Sequence, residues 1–279
     1  MKLKDKVAVI TGSTRGLGRA IAQAYVREGA SVVVSSRTSA AVAAMVEELG
    51  GQTLGVACDV SEIAQVQHLA ERAIEQFGHI DIWVNNAGLA GPYGRTLDVP
   101  IREYETVVRV NALGTYYGSR VALEHMLPRR AGKLINLSGR GAKGPTPFQN
   151  AYAPTKAWVV SFTQALAKEY AGRGVDIVLF SPGMVLTDML TDVEVVGEGT
   201  DPRLKHFPRV LRMWSEPPEV PAQMAVDIAA SGKNGKVYKL FSRRRMMAGV
   251  LAEARRIVTR NREPMPDVTI RRREREPGA

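Results

Sequence analysis

The sequence holds a single cysteine, Cys58, among 279 residues. An intramolecular disulfide is therefore excluded, and the four histidines form no cluster with the spacing of a zinc site, so no metal is expected. Long apolar runs are missing as well. The first one ends at Thr11-Gly12, and nothing later approaches the ~18 consecutive apolar residues of a spanning helix. Neither a secretory leader nor a membrane span is expected, and a reducing, cytoplasmic setting fits. Acid is in short supply: 38 Lys and Arg against 28 Asp and Glu give a net charge of +10. That imbalance is local, because residues 243–279 hold 11 arginines and 5 acids and so carry +6 of it. A nucleic-acid groove would spread its cations through the body of the chain, so no nucleic-acid partner is expected. What is abundant is core material and surface charge, at 45% hydrophobic and 24% charged, which excludes disordered and fibrous classes.

Short β-branched runs alternate with longer segments of helical periodicity. The runs are KVAVIT (6–11), SVVVSS (31–36), TLGVAC (53–58), IDIWVN (80–85), KLINLS (133–138), VDIVLF (175–180) and KVYKLF (236–241). Several are nearly continuous apolar stretches of the kind buried on both faces, and the helices between them imply right-handed crossovers. The expected fold is α/β: a Rossmann-type, doubly wound, parallel seven-stranded sheet forming one domain over residues 1–242, with its ligand crevice beyond the carboxyl ends of the strands. Two regions break the rhythm. Residues 186–221 are rich in Gly and Pro and read as a long irregular connection, a lid over the substrate. Residues 243–279 read as a basic C-terminal helix and tail, in which Met246, Met247, Val250, Leu251, Ala254, Ile257 and Val258 form one helical stripe expected to lie against the body or a neighbouring subunit. Residues after Asn261 are mostly polar and expected to be mobile. A basic amphipathic helix lying on an anionic membrane is the competing expectation, disfavoured by the absence of Trp and Phe from the stripe.

Between the first strand and first helix stands Thr11-Gly12-Ser13-Thr14-Arg15-Gly16-Leu17-Gly18. Glycines there permit close backbone approach to a ligand, and the helix N-terminus offers unpaired N–H groups to a phosphate. The second strand ends in Ser35-Ser36-Arg37, where a site for NAD would place an acid against the ribose 2′-hydroxyl. The acid is absent. Arg37, with Arg15, offers guanidinium geometry suited to a 2′-phosphate, so the expected cofactor is NADP.

These residues and those that follow resemble the short-chain dehydrogenase/reductase family over about residues 5–241. Gly12, Gly16 and Gly18 match its glycine motif, Asp59-Val60 its adenine contact, and Asn85-Asn86-Ala87-Gly88 the segment after its fourth strand. Asn111 matches the asparagine of its proton relay, Tyr152-x-x-x-Lys156 its catalytic pair, and Pro182-Gly183 through Val185 to Thr187 the segment closing over the nicotinamide. The resemblance implies hydride transfer between NADP(H) and a small carbonyl or alcohol substrate by an enzyme acting on the CH–OH group, and a homodimer or homotetramer built partly on helices near 101–127 and 151–171.

Tyr152 and Lys156, four residues apart on one helical face, stand ~6 Å apart along the axis. An adjacent ammonium favours the phenolate and tunes the tyrosine for acid–base work. The resemblance adds that Lys156 holds the nicotinamide ribose and that Asn111 orders the water resupplying the proton. One departure stands out: the fifth strand ends Ser138-Gly139-Arg140-Gly141, and the family's substrate-orienting serine aligns with Gly139. Ser138, Thr146 or a water is left to supply that hydroxyl. The gap keeps a second reading open, a family scaffold with lyase or isomerase activity or a dinucleotide-binding regulator. Around the expected pocket, Arg95, Arg140, Lys143, Arg203, Lys205, Arg209 and Arg212 accompany Met184, Met189, Met213 and Trp214, a mixture suited to an apolar substrate with an acidic group. Trp158 and Phe162 are expected in a core or subunit contact.

Overall fold

The computed structural model describes residues 1–142, 144–198, 202–259 and 264–275. Seven strands form one parallel sheet: β1 (Val7–Thr11), β2 (Ser31–Ser36), β3 (Thr53–Ala57), β4 (Ile82–Asn85), β5 (Gly132–Leu137), β6 (Val175–Ser181) and, further along, β10 (Val237–Lys239). Their order is β3-β2-β1-β4-β5-β6-β10, the doubly wound arrangement that the seven runs imply. Strand alternation divides the core between the two faces. Ala8, Ile10, Val32, Val34, Ile82 and Val84 pack under α1 (Gly16–Arg27), α2 (Ser39–Leu49) and α9 (Glu219–Ser231). Val9, Val33, Trp83, Leu134 and Ile177 pack under α3 (Ile63–Phe77), α5 (Gly114–Arg129) and α6 (Tyr152–Glu169). Helix α4 (Ile101–Val108) runs into α5 through a π-helical turn, Arg109–Leu113, which carries Asn111.

A buried polar network ties the strand ends to the second face. Trp83 donates its indole N–H to Asn85 at 2.8 Å, Asn85 donates to Asn136 at 2.8 Å and Ser119 at 3.1 Å, and Asn136 donates to Thr163 on α6 at 3.0 Å. Asn85 and Asn136 are cross-strand partners in the β4–β5 register. Buried amides satisfied in this way fix one relative placement of strand and helix.

The segment 186–221 is more ordered than its composition suggests. It contains α7 (Asp188–Thr191), β8 (Asp192–Val196), a 3₁₀ turn (Pro202–His206) and α8 (Phe207–Trp214), while β7 (Met184–Val185) just before it pairs with β9 (Ser215–Glu216). Its partners come from outside: Tyr93 bridges Val195 on one side of β8, and on the other lies β11 (Thr269–Arg273), paired in parallel register from Thr269↔Asp192 to Arg273↔Val196. The expectation of a mobile tail is therefore corrected for residues 264–275. Val268 and Ile270 pack on the lid's own cluster of Val193, Val195, Phe207 and Leu211. Arg271 forks onto Asp192 at 2.7 and 2.8 Å, and Arg273 pairs with Glu194 and Glu103.

The C-terminal helix α10 (Arg243–Val258) corrects one half of a second expectation, that its apolar stripe lies against the body of its own chain. It lies on α8 by its other side: buried Glu253 accepts from Arg209 at 2.8 Å and bridges to Arg212, Gly249 fits against Met213 and Trp214, and Trp214 donates to the Met246 carbonyl at 3.2 Å. The apolar stripe faces out, with Leu251 65% and Val258 83% exposed. Among the described residues, no helix is long and apolar enough to cross a membrane.

Candidate active site

The glycine turn is held as the end of β1 requires. Gly12 and Gly16 adopt φ of 64° and 54°, a region that side chains strain to reach. A Cβ at Gly12 would stand 2.9 Å from the Ala87 Cα, and one at Gly16 would stand 3.3 Å from Thr187. Ala87 and Thr187 thus close on the turn from just beyond β4 and β7. Asn86 braces it, donating to the Thr11 and Gly12 carbonyls at 2.9 and 3.0 Å, while the Thr11 hydroxyl accepts the Asn86 and Ala87 N–H groups. Asn86 therefore builds the cradle rather than lining it. Helix α1 begins after Arg15 with no side-chain cap and no acid in its first turn, which leaves its N-terminus to an anion.

At the end of β2, the Ser36 hydroxyl is buried without a partner among the described residues. Arg15 and Arg37 are exposed, and neither forms an ion pair with a described residue. An uncapped helix N-terminus, a glycine cradle with Arg15 in it, and an orphaned hydroxyl next to Arg37 in the chain fit a dinucleotide. Thr14 and Leu17 lie half-buried in the same turn. Asp59 accepts the Ser61 N–H and hydroxyl on one carboxylate oxygen, and Val60 is buried against Gly114. Across the crevice, Pro182 and Val185 are buried, Gly183 turns at φ 82°, and Thr187 hydrogen-bonds the Val185 carbonyl.

Helix α6 brings the catalytic candidates together. Tyr152, Lys156, Val159 and Thr163 share one face, and Thr163 is pinned to Asn136 on β5. Two residues beyond Asn136 on the same side of the strand comes Ser138, buried, its N–H donated to Phe180 at 2.8 Å. Lys156 is buried, donates to the Leu137 carbonyl at 3.2 Å and stands 5.7 Å from the Tyr152 ring centre. Gly88 admits both Lys156 and Asn111: a Cβ there would stand 3.7 Å from the lysine nitrogen and 3.3 Å from the Asn111 oxygen.

The electrostatics differ from the simple pair. The Tyr152 ring is half-open to the cleft, but its hydroxyl lies against Gly139, and burial pushes it up to about 12, reinforced by Tyr93 and opposed by Arg140. Burial also lowers Lys156 to about 8. In the chain alone, desolvation of Tyr152 outweighs the opposing charge of Arg140. The Asn111 side chain is held on both its oxygen and its amide. Its oxygen accepts from Leu89 at 2.8 Å, and its amide donates to Leu89 at 2.9 Å and Thr155 at 3.2 Å. That amide pins the turn after Gly88.

Gly139 has a positive function. A Cβ at that position would meet the Tyr152 hydroxyl at 2.3 Å and Lys156 Cγ at 3.3 Å, so the bare backbone makes room for the tyrosine. The lid cations mostly turn away from the site, since Arg209 and Arg212 hold Glu253. Arg95 and Lys205 are exposed, Arg140 acts electrostatically on Tyr152, and Lys143 and the Arg203 side chain lie outside the described residues. Sequence reasoning passed over Gln149, three residues before Tyr152. It is 4% exposed with its carbonyl oxygen unpartnered among the described residues, and its only signal was a polar residue leading into α6.

A parallel sheet with this glycine turn and an acid–base pair at its carboxyl edge defines a dinucleotide-dependent oxidoreductase. A family profile described as short chain dehydrogenase matches residues 6–195, and the chain belongs to that family. It is 31% identical over 245 residues to a 3-oxoacyl-[acyl-carrier-protein] reductase of Synechocystis, covering 85% of this chain and 96% of the relative. A 3-ketoacyl-(acyl-carrier-protein) reductase from Brucella melitensis, solved with NADH, superposes with a TM-score of 0.76 at 32% identity, covering 85% of this chain and 97% of that one. An actinorhodin polyketide ketoreductase variant solved with NADPH gives 0.75 at 25% identity, covering 86% and 97%. The chain is an enzyme of the CH–OH oxidoreductase class.

Proposed function

We propose that the enzyme interconverts a ketone and a secondary alcohol with NADP(H), using Tyr152 as acid and base. The observation that carries this reading is the convergence of the Tyr152 hydroxyl, Lys156 and the Ser138 end of β5 at the carboxyl edge of the sheet, across from the glycine turn. Bound NADPH supplies the hydride. In the reducing direction Tyr152 donates its proton to the carbonyl oxygen, and in the other it takes the alcohol proton. Ser138 holds that oxygen in place of the hydroxyl missing at Gly139, and Lys156, on the same helical face, holds the nicotinamide ribose. Gly12, Thr14, Arg15, Gly16, Leu17 and Gly18 cradle the phosphates, with Asn86, Ala87 and Gly88 behind them. Asp59 and Val60 border the adenine, and Pro182, Gly183, Val185 and Thr187 close the nicotinamide end.

Preference for NADP rests on the lack of an acid after Ser36 and on Arg15 and Arg37 standing without ion pairs among the described residues. Arg140, which acts on Tyr152, suits a substrate with an anionic group near its carbonyl. Tyr116 and Trp158, 37% and 38% exposed and linked through Phe162, mark a contact on α5 and α6 for a homodimer or homotetramer. The buried Cys58 thiol, pushed up to about 12 chiefly by burial, suits a cytoplasmic enzyme that makes no use of it. The test is NADPH consumption over a panel of ketones and keto acids. Tyr152→Phe should reduce turnover at least ~10²-fold with NADPH binding intact; unchanged turnover overturns the assignment.

A further inference from the structure

The outward face of α10 combines two features. Met247, Leu251 and Val258 are 56%, 65% and 83% exposed, and Met246, Val250 and Ile257 flank them at 41%, 42% and 59%. A period of 3.6 residues places Arg244 and Arg255 on the same half of the helix as Met247, Leu251 and Val258. The only acid on α10 is Glu253, and it is turned inward onto Arg209 and Arg212. The exposed half therefore carries apolar side chains and cations, with no carboxylate from its own helix.

Charge decides what covers such a face. A second copy pairing the stripe about a two-fold axis would bring Arg244 and Arg255 of one helix against arginines of the other, a like-charge contact. An anionic lipid surface offers hydrocarbon to the stripe and headgroup phosphates to the arginines. The first turn of α10 adds to this. Arg244 and Arg245 sit at the helix end where the macrodipole disfavours cations, and only Arg245 has a partner among the described residues, Glu216 at 2.8 Å. Trp and Phe are missing from the stripe, but the helix is already folded on α8, so docking requires no ordering of the segment.

We infer that α10 is a docking face for anionic membrane surfaces, holding the enzyme peripherally by the side that carries α8 and the lid. The test is co-sedimentation of the full chain with vesicles of phosphatidylcholine alone and of phosphatidylcholine mixed with phosphatidylglycerol. Binding is expected to the mixed vesicles only and to weaken in high salt. Arg244→Glu with Arg255→Glu should lower partitioning more than ~10-fold, since each basic residue near such a surface contributes about fivefold. Leu251→Glu with Val258→Glu should abolish it. Both pairs are exposed, so NADPH affinity and melting temperature serve as the check on folding. Sedimentation with neither vesicle, or equal sedimentation with both, overturns the inference. So does light scattering in which Leu251→Glu splits an oligomer while vesicle binding is absent, because a second copy then covers the face.

Discussion

Serine at position 139 would match the family's motif in sequence. The geometry opposes it. A Cβ there stands 2.3 Å from the Tyr152 hydroxyl oxygen, against an ordinary contact of about 3.5 Å, so the tyrosine must retreat by about 1 Å. The Tyr152 Cζ at 3.2 Å and Lys156 Cγ at 3.3 Å limit how it can do so. A displacement of that size at the reacting atom costs about 10²-fold in rate, or about 2.7 kcal/mol of transition-state stabilisation. Gly139→Ala and Gly139→Ser should therefore both lower kcat about 10²-fold, with NADPH affinity, measured separately by titration, unchanged because the glycine turn is untouched. Comparing the two variants separates the methylene from the hydroxyl. If Gly139→Ser matches or exceeds the parent while Gly139→Ala is impaired, the hydroxyl is what the site lacks, and the steric reasoning is wrong.

Ser138→Ala should lower turnover ~10²–10³-fold, the usual cost of one preorganised donor, with NADPH binding retained; a silent change would hand the contact to Thr146, Gln149 or a water. Arg37→Asp should reverse the cofactor preference toward NAD(H), and equal binding of both dinucleotides by the parent enzyme would remove the basis for the phosphate clamp. A chain ending at residue 263 loses β11 together with Val268 and Ile270 from the lid's core, so KM should rise about tenfold while NADPH affinity holds; an unchanged KM would show the strand to be irrelevant to the lid. Burial lowers Lys156 to about 8 in the folded chain, so between about pH 8 and 10.5 the unfolded chain binds more protons and the cofactor-free enzyme gains stability as pH rises. Lys156→Met should then be more stable than the parent at pH 7 by up to about 3 kcal/mol, an advantage shrinking toward pH 10.5 in denaturant unfolding, and a constant difference would rule out desolvation as its source.

The seven strands, their parallel order, the glycine turn and the Tyr152/Lys156 pair were all legible in the sequence. Each is written in residues close together along the chain: β-branched runs alternating with helical periodicity, three glycines between a strand and a helix, two side chains one turn apart. Ser138 and Gly139 were legible as positions, but the meaning of Gly139 was not, because the atom it makes room for arrives on α6, thirteen residues later. Asn111 was recognised by its place in a motif, while its partners, Leu89 and Thr155, come from two other segments and turn its amide to a structural task. Partners lie furthest apart along the chain in the lid and the tail. Nothing local to residues 192–196 or 269–273 announces a pairing across more than seventy residues, since a short strand carries no record of which edge it will join. Likewise the periodicity of α10 marked an apolar stripe but not its direction. Its direction is visible only in the fold, where Glu253 is buried against Arg209 and Arg212 of α8, more than forty residues away in the chain, and the stripe on the opposite side faces out.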